Sequence, residues 1–218
     1  MPTPKERLTH LLELAASGAA ERGALAGEVA DLLLDWPAQY PAAMRATFEA
    51  LLEKIIREMD ARGRMALAVR FEGREGAPLG VLNALFLEAT PAAKESILAR
   101  NDAAGFVEAD RADCAALLTA SRTTTNFAPA LGRLTGVPDS VAEAAMADPQ
   151  TLAVLAKGAG VNRATFSAVA ILTGPPCTVQ ENFAMLTLFD QVPENGARRM
   201  VQYWRGRCGV PAPVERAA

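Results

Sequence analysis

Residues 151–171, TLAVLAKGAGVNRATFSAVAI, hold the pattern that restricts the fold most strongly. Apolar residues recur at helical spacing on both sides of Gly160. A glycine there ends the first helix in a left-handed conformation, and Asn162 is placed to cap the second helix. The segment therefore predicts two short helices joined by a tight turn, a helix-turn-helix by pattern. DNA-binding domains and helical-repeat scaffolds share this geometry, and the pattern alone does not choose between them.

The rest of the chain has the same helical character. The clearest stretch follows Pro41, where apolar residues recur every three or four positions and arginine and glutamate occupy the opposite face. Alternation with a period of two, which is typical of strands, is absent, and aromatic residues make up only 6% of the chain. The sequence therefore predicts an all-α protein. The predicted apolar stripe consists of Met44, Phe48, Leu51, Leu52, Ile55, Ile56 and Met59.

Caps, prolines and glycines place the other helices. Thr178 and Glu181 have the spacing of a capping box, and Asp148 precedes a proline at the first helical position. Gly158 and Gly160 are both interpreted as caps of the first helix in segment 151–171. One further helix is predicted to begin at Pro4, and a second one to end at Asp35. Residues 103–120 are predicted to be helical with an interruption allowed. Other helices are predicted at about 61–71, 78–88, 91–99, 127–135, 138–147, 178–189 and 193–207.

Short helices in succession predict stacked antiparallel helix pairs, a HEAT-like helical array. The tripeptide Leu-Thr-Gly recurs at 134–136 and 172–174, a spacing close to the roughly 40 residues of such repeats. One all-α domain is predicted over 4–208. Ser121 to Asn126 is polar and predicts a hinge, which would divide the domain into 4–122 and 123–208. Residues 209–218 are predicted to be a flexible tail.

No arrangement of residues indicates catalysis or metal binding. His10 is the only histidine, and although Glu6 lies one turn before it, the second ligand pair of a helical metal site is missing. The cysteines at 114, 177 and 208 have no paired spacing. We therefore predict a protein that is not an enzyme, with no catalytic residues, no metal and no cofactor.

Composition limits the partners and the compartment. The net charge of −3 gives no general attraction to phosphate, so nucleic acid is the weaker candidate partner. No apolar run approaches the roughly 20 residues that span a bilayer, so membrane insertion is not expected. Unpaired cysteines and the lack of an N-terminal signal peptide predict reduced thiols and a cytoplasmic location.

The last predicted helix combines basic and aromatic residues that could hold an acidic partner or a nucleic-acid backbone. A second interpretation is favoured, in which Met200, Val201 and Trp204 pack inward while the arginines complement the helix dipole. In the helix-turn-helix, Arg163 is the cation placed to reach DNA. The candidate interaction surface is therefore Arg163, Arg198, Arg199, Tyr203, Arg205 and Arg207.

A family resemblance is carried by four stretches of the chain. They are ALAGEVADLLLDWP, LLEKIIREMDARGRMALAVRF, LAKGAGVNRATFSAVAIL and ENFAMLTLFDQVPENGARRMVQYWRGR. Together they resemble an alphaproteobacterial all-helical, HEAT-like family known as a domain of unknown function, over about residues 8–207. The resemblance implies stacked helix pairs in a bacterial cytoplasm, and it implies no catalytic residue. Gly196 departs from the family's usual pattern and predicts a weakened start of the final helix.

The predicted function is that of a non-enzymatic protein–protein interaction or regulatory scaffold module. The expected partner is another protein, with self-association included. The alternative is a DNA-binding regulator that uses segment 151–171. The charge around Arg163 separates the two, since a continuous basic stripe favours DNA and a mixed or apolar surface favours protein.

Overall fold

The computed structural model describes residues 22–105, 107–108, 111–173 and 178–206. Within these residues the chain is all-α, as predicted, with twelve α-helices, one short 3-10 helix and no strand. Several predicted features lie outside the described residues. They are the helix beginning at Pro4 with Glu6 and His10, residues Phe106, Cys177, Cys208 and Arg207, and the tail 209–218.

The chain divides into two compact units, one ending at Lys94 and the other beginning at Glu95. The first unit contains α1 (Arg22–Leu34), α2 (Ala42–Glu58), α3 (Ala61–Phe71), α4 (Leu79–Ala84), a 3-10 helix (Phe86–Glu88) and the start of α5 (Pro91–Ala103). The second contains the rest of α5, then α6 (Cys114–Thr123), α7 (Ala128–Thr135), α8 (Asp139–Ala147), α9 (Pro149–Gly158), α10 (Arg163–Thr173), α11 (Val179–Gln191) and α12 (Glu194–Trp204).

The core of the first unit is formed by α1, which packs against α2 and α3, and by α2, which also packs against α4. Leu52, Ile55 and Ile56 of α2 are buried as the periodicity predicted, whereas Met44 at the start of the stripe is exposed. Asp60 caps α3 by accepting a hydrogen bond from the backbone N–H of Gly63 at 2.7 Å. The apolar stripe therefore faces the core over its C-terminal half.

In the second unit, α9 is the helix around which the others pack, since it contacts α8, α11 and α12. Its most extensive contacts are with α12, whose buried residues include Met200, Val201 and Trp204. A Cβ on Gly158 of α9 would lie 2.6 Å from Val201 Cγ2, and a Cβ on Gly196 of α12 would lie 2.5 Å from the carbonyl oxygen of Leu98. Glycine at these two positions lets α12 approach α9 and α5 closely.

A hinge was predicted at Ser121 to Asn126, whereas in the structure the division between units falls at Lys94 and α6 continues through Thr123. The hydroxyl groups of Ser121 and Thr123 donate to the carbonyl oxygens of Leu118 and Thr119, each at 2.9 Å. Hydroxyl side chains that bond one turn back are accommodated within a helix. Ser121 to Thr123 therefore form the last turn of α6, and the hinge stays a prediction.

Residues 103–120 were predicted to be helical with an interruption allowed, and the structure has that interruption between Ala103 and Cys114. α5 ends at Ala103, and α6 begins only after Asp113, whose carboxylate accepts hydrogen bonds from the N–H groups of Ala115 and Ala116. Gly105 has a φ of 102°, a conformation that a helix cannot contain. Among the described helices, none has both the length and the apolar character needed to cross a membrane.

Candidate interaction surface

The helix-turn-helix segment has the local geometry predicted for it. Gly160 has a φ of 74° and follows α9, and the N–H of Val161 donates to the carbonyl oxygen of Ala156 at 2.9 Å. Asn162 caps α10, because its side-chain oxygen accepts from the N–H of Thr165 at 2.9 Å. Gly158, in contrast, was predicted as a cap and is instead the last residue of α9. Its role is the close packing of α9 on α12.

Both cations of this segment bind the C-terminal end of α11. The Lys157 ammonium donates to the carbonyl oxygens of Phe189 and Asp190 at 2.8 and 3.1 Å, and the Arg163 guanidinium pairs with the Asp190 carboxylate at 2.9 Å. Burial lowers the pKa of Lys157 below its usual range, and the nearby carboxylates of Asp190 and Glu194 oppose that change. Cations favour the C-terminal end of a helix because its carbonyl groups are unpaired there.

The outer face of α10 carries little charge. Ala164 is exposed and Ala168 is half-buried, while Ile171 is 54% exposed. Phe166 and Val169 of the same helix are buried. Arg163 is the one charged residue of α10, and it is paired with Asp190.

The arginines of α12 bind backbone carbonyl groups within the second unit. The Arg199 guanidinium donates to the carbonyl oxygens of Ala104 and Gly105, and its distance to the Ala104 oxygen is 2.6 Å. Arg205 Nε donates to Thr135 at the end of α7, at 2.8 Å. These guanidinium groups satisfy carbonyl oxygens that follow or end helices, where no backbone partner is available.

The two remaining residues of this predicted surface are not prominently exposed. The Arg198 guanidinium pairs with the Glu194 carboxylate one turn earlier, and its Nη1 atom lies 3.5 Å from the carbonyl oxygen of Val107. The Arg198 side chain is only 18% exposed. Tyr203 is half-buried. The structure thus places Arg198, Arg199 and Tyr203 on α12 and Arg205 directly after it, whereas Arg163 lies on α10 and is paired with Asp190 of α11.

A group of exposed apolar residues was not predicted from the sequence. Among the described residues, seven large apolar side chains are exposed, and four of them lie between the end of α10 and the first half of α11. We call this group the α10–α11 apolar surface. It consists of Ile171, Leu172, Val179 and Phe183, with exposed fractions of 54%, 45%, 72% and 63%.

The helix α11 explains why these residues are exposed. Its sequence, VQENFAMLTLFDQ, has apolar residues on nearly every side, yet only Phe189 is buried. That end of α11 is fixed, because the Phe189 ring stacks on Phe166 with centroids 4.5 Å apart and Lys157 lies above the same ring. The other end begins with the Thr178 capping box and contributes Val179 and Phe183 to the exposed group. An apolar sequence that exceeds one helical face was the available signal.

A cleft of about 480 Å³ opens on another side of α11. Its walls are mainly apolar, and Gln150 and Gln191 contribute amide groups. Glu95 is the one ionisable residue in the lining, so the cleft offers an apolar side chain a place to bind but no acid–base pair. Within the described part of the chain, no group of three His, Cys, Asp or Glu residues is placed to hold a metal ion.

Comparisons with known proteins give no match to a family model, to a curated protein or to a solved structure.

Proposed function

We propose that this protein is a non-enzymatic interaction module that binds another protein through the α10–α11 apolar surface. The observation behind the proposal is the exposure of four large apolar side chains on two neighbouring helices. Singly scattered exposed apolar residues are ordinary, whereas four at the same end of a pair of packed helices are a candidate binding surface. Burial of such side chains by a partner would stabilise a complex by removing apolar area from water.

The proposal also covers the stacking of the helices, the family of the protein and its cellular location. We propose that the helix pairs stack in a HEAT-like array and that the chain belongs to the alphaproteobacterial family of unknown function described above. Only the sequence resemblance supports these two proposals. We also propose a cytoplasmic location, which is supported by the absence of paired cysteine spacing in the sequence.

The α10–α11 apolar surface is tested by affinity capture from the native cell with the parent protein and two variants. Phe183→Asp replaces the one aromatic member of the surface with a charged residue. Val69→Asp is the matched control, since Val69 is an equally exposed helical residue, 62% against 63%, in the other unit. We expect a protein that is retained by the parent and by Val69→Asp and lost with Phe183→Asp. Equal capture by all three proteins would reject this surface.

DNA binding is the second candidate, because the turn at Gly160 and the Asn162 cap have the geometry of a helix-turn-helix. The engagement of Lys157 and Arg163 by α11 weighs against it. We expect fluorescence anisotropy with mixed-sequence and genomic duplexes to show no salt-dependent binding. Submicromolar binding that Arg163→Ala weakens, with the fold intact, would favour DNA instead; this substitution removes only an exposed ion pair worth about 0.2–1 kcal/mol.

A further inference from the structure

We infer that the partner of the α10–α11 apolar surface is the same surface on a second copy of this chain, which makes the protein a symmetric dimer. The inference rests on the proposed function and specifies its partner. In a two-fold symmetric contact each copy presents the same residues, so the surface must be compatible with itself in shape and in charge.

The α10–α11 apolar surface lies on a pair of antiparallel helices, a shape that can pack against a second such pair. Arg163 at the start of α10 binds Asp190 near the end of α11, so the two helices run antiparallel. The apolar residues lie toward the other end of the pair. After α11 the chain turns back into α12, which packs on α9 and leaves these four side chains exposed. Two antiparallel helices with apolar outer residues correspond to half of a four-helix bundle, and a second such pair completes it.

The charge distribution favours a second copy over a charged partner. Residues 164–189 contain a single charged side chain, Glu181, in a protein that is 22% charged. The Glu181 carboxylate is already held by the N–H and hydroxyl of Thr178, at 2.7 and 2.9 Å. An acidic or basic partner would find almost nothing to pair with. Two copies can approach without repulsion, and depletion of charge is the composition expected at the centre of a homodimer interface.

The area sets the strength of the contact. A fully exposed aromatic side chain presents about 150–250 Å² and an aliphatic one less, so the four partly exposed residues together offer on the order of 400 Å² per copy. This is about half of the roughly 800 Å² that each partner contributes to a standard interface. We therefore expect a dimer that dissociates in the micromolar range instead of a permanent one.

Sedimentation velocity of the purified full chain tests the inference, from about 1 to about 300 μM, which brackets micromolar dissociation constants. We expect the mean mass to rise from monomer toward dimer. Phe183→Asp should weaken dimerisation at least about tenfold, while Val69→Asp should leave it unchanged. Salt at about 1 M should not dissociate the dimer, because no ion pair holds it.

Far-UV circular dichroism of each variant shows whether it is folded. If Phe183→Asp unfolds, Val179→Ser replaces it, since Val179 is more exposed and lies one turn away. A parent protein that stays monomeric up to about 300 μM, or a folded variant that dimerises like the parent, would overturn the inference. A monomeric parent whose capture of another protein still requires Phe183 would reject the dimer alone. If the parent protein does not dimerise and also captures no protein in a way that requires Phe183, the proposed function is rejected as well.

Discussion

Gly158 shows how a single residue determines the packing of two helices. It occupies the last position of α9, where glycine is a poor helix former, so its presence needs a local reason. A Cβ there would lie 2.6 Å from both the carbonyl carbon of Ala197 and Val201 Cγ2. The backbone of α12 cannot move as a flexible side chain can. The sequence pattern led to the interpretation of Gly158 as a helix cap, and only the neighbouring helix shows the close contact that requires glycine.

The first prediction is that Gly158→Ala destabilises the protein by about 1–3 kcal/mol, the usual cost of forcing an extra methyl group into a close-packed contact. Gly23→Ala in α1 is the control, because no atom lies within 4 Å of the Cβ it would add. Alanine there should be neutral or stabilise by up to about 1 kcal/mol. The free energy of unfolding from urea denaturation measures both. Equal stability of the two variants would show that α9 and α12 are not in close contact.

Arg199 and Arg205 are a second case in which the contact of a side chain could not be predicted from the sequence. Arg199 and Arg205 were predicted as part of a surface for a partner, and that assignment stays a prediction. Their guanidinium groups donate to carbonyl oxygens about 70 to 95 positions earlier in the chain. A basic side chain on an amphipathic helix has the same sequence pattern whether it contacts another protein or a distant loop of its own. The contact depends on the fold and cannot be read from local spacing.

Among the helices, those with strong caps were predicted best. The Thr178 capping box, the Asp148 cap before α9 and the Asn162 cap before α10 all have the predicted hydrogen bonds. Capping is a contact between residues two or three positions apart, so the sequence contains both partners. Which face of α11 is buried depends instead on α9 and α10, and the exposure of Val179 and Phe183 was therefore missed.

The second prediction concerns the core face of α2. Leu52 and Ile55 are 0% and 6% exposed, so Leu52→Ala and Ile55→Ala should each destabilise by about 2–5 kcal/mol, through lost burial and the cavity that remains. Met44→Ala is the control on the same helix, since Met44 is 36% exposed and should cost clearly less. Thermal and urea unfolding followed by circular dichroism measure the differences. If all three variants unfold alike, α2 does not bury the face assigned to it.

On the scale of the whole molecule, the all-α class followed from periodicity, but the division into units did not. The sequence predicted a hinge at Ser121 to Asn126 from composition, whereas the boundary lies at Lys94, within α5. A helix that passes from one unit to the next contains no break in its local pattern. Contacts between residues far apart in sequence define such a boundary, for example the approach of Gly196 to Leu98. Composition does not contain that information.

The last prediction compares two truncated chains, one for each proposed boundary. Residues 90–218 retain α5 and α6, and therefore Leu98, the neighbour of Gly196, and the helix that packs against α10. This chain should be helical and unfold cooperatively. Residues 123–218, cut at the hinge predicted from the sequence, lack both helices and would expose the α5 side of α12 and the α6 side of α10 to water. We expect that chain to lose cooperative unfolding, as measured by far-UV circular dichroism and thermal denaturation. Cooperative folding of 123–218 to the same stability would place the boundary near residue 123 and contradict the division at Lys94.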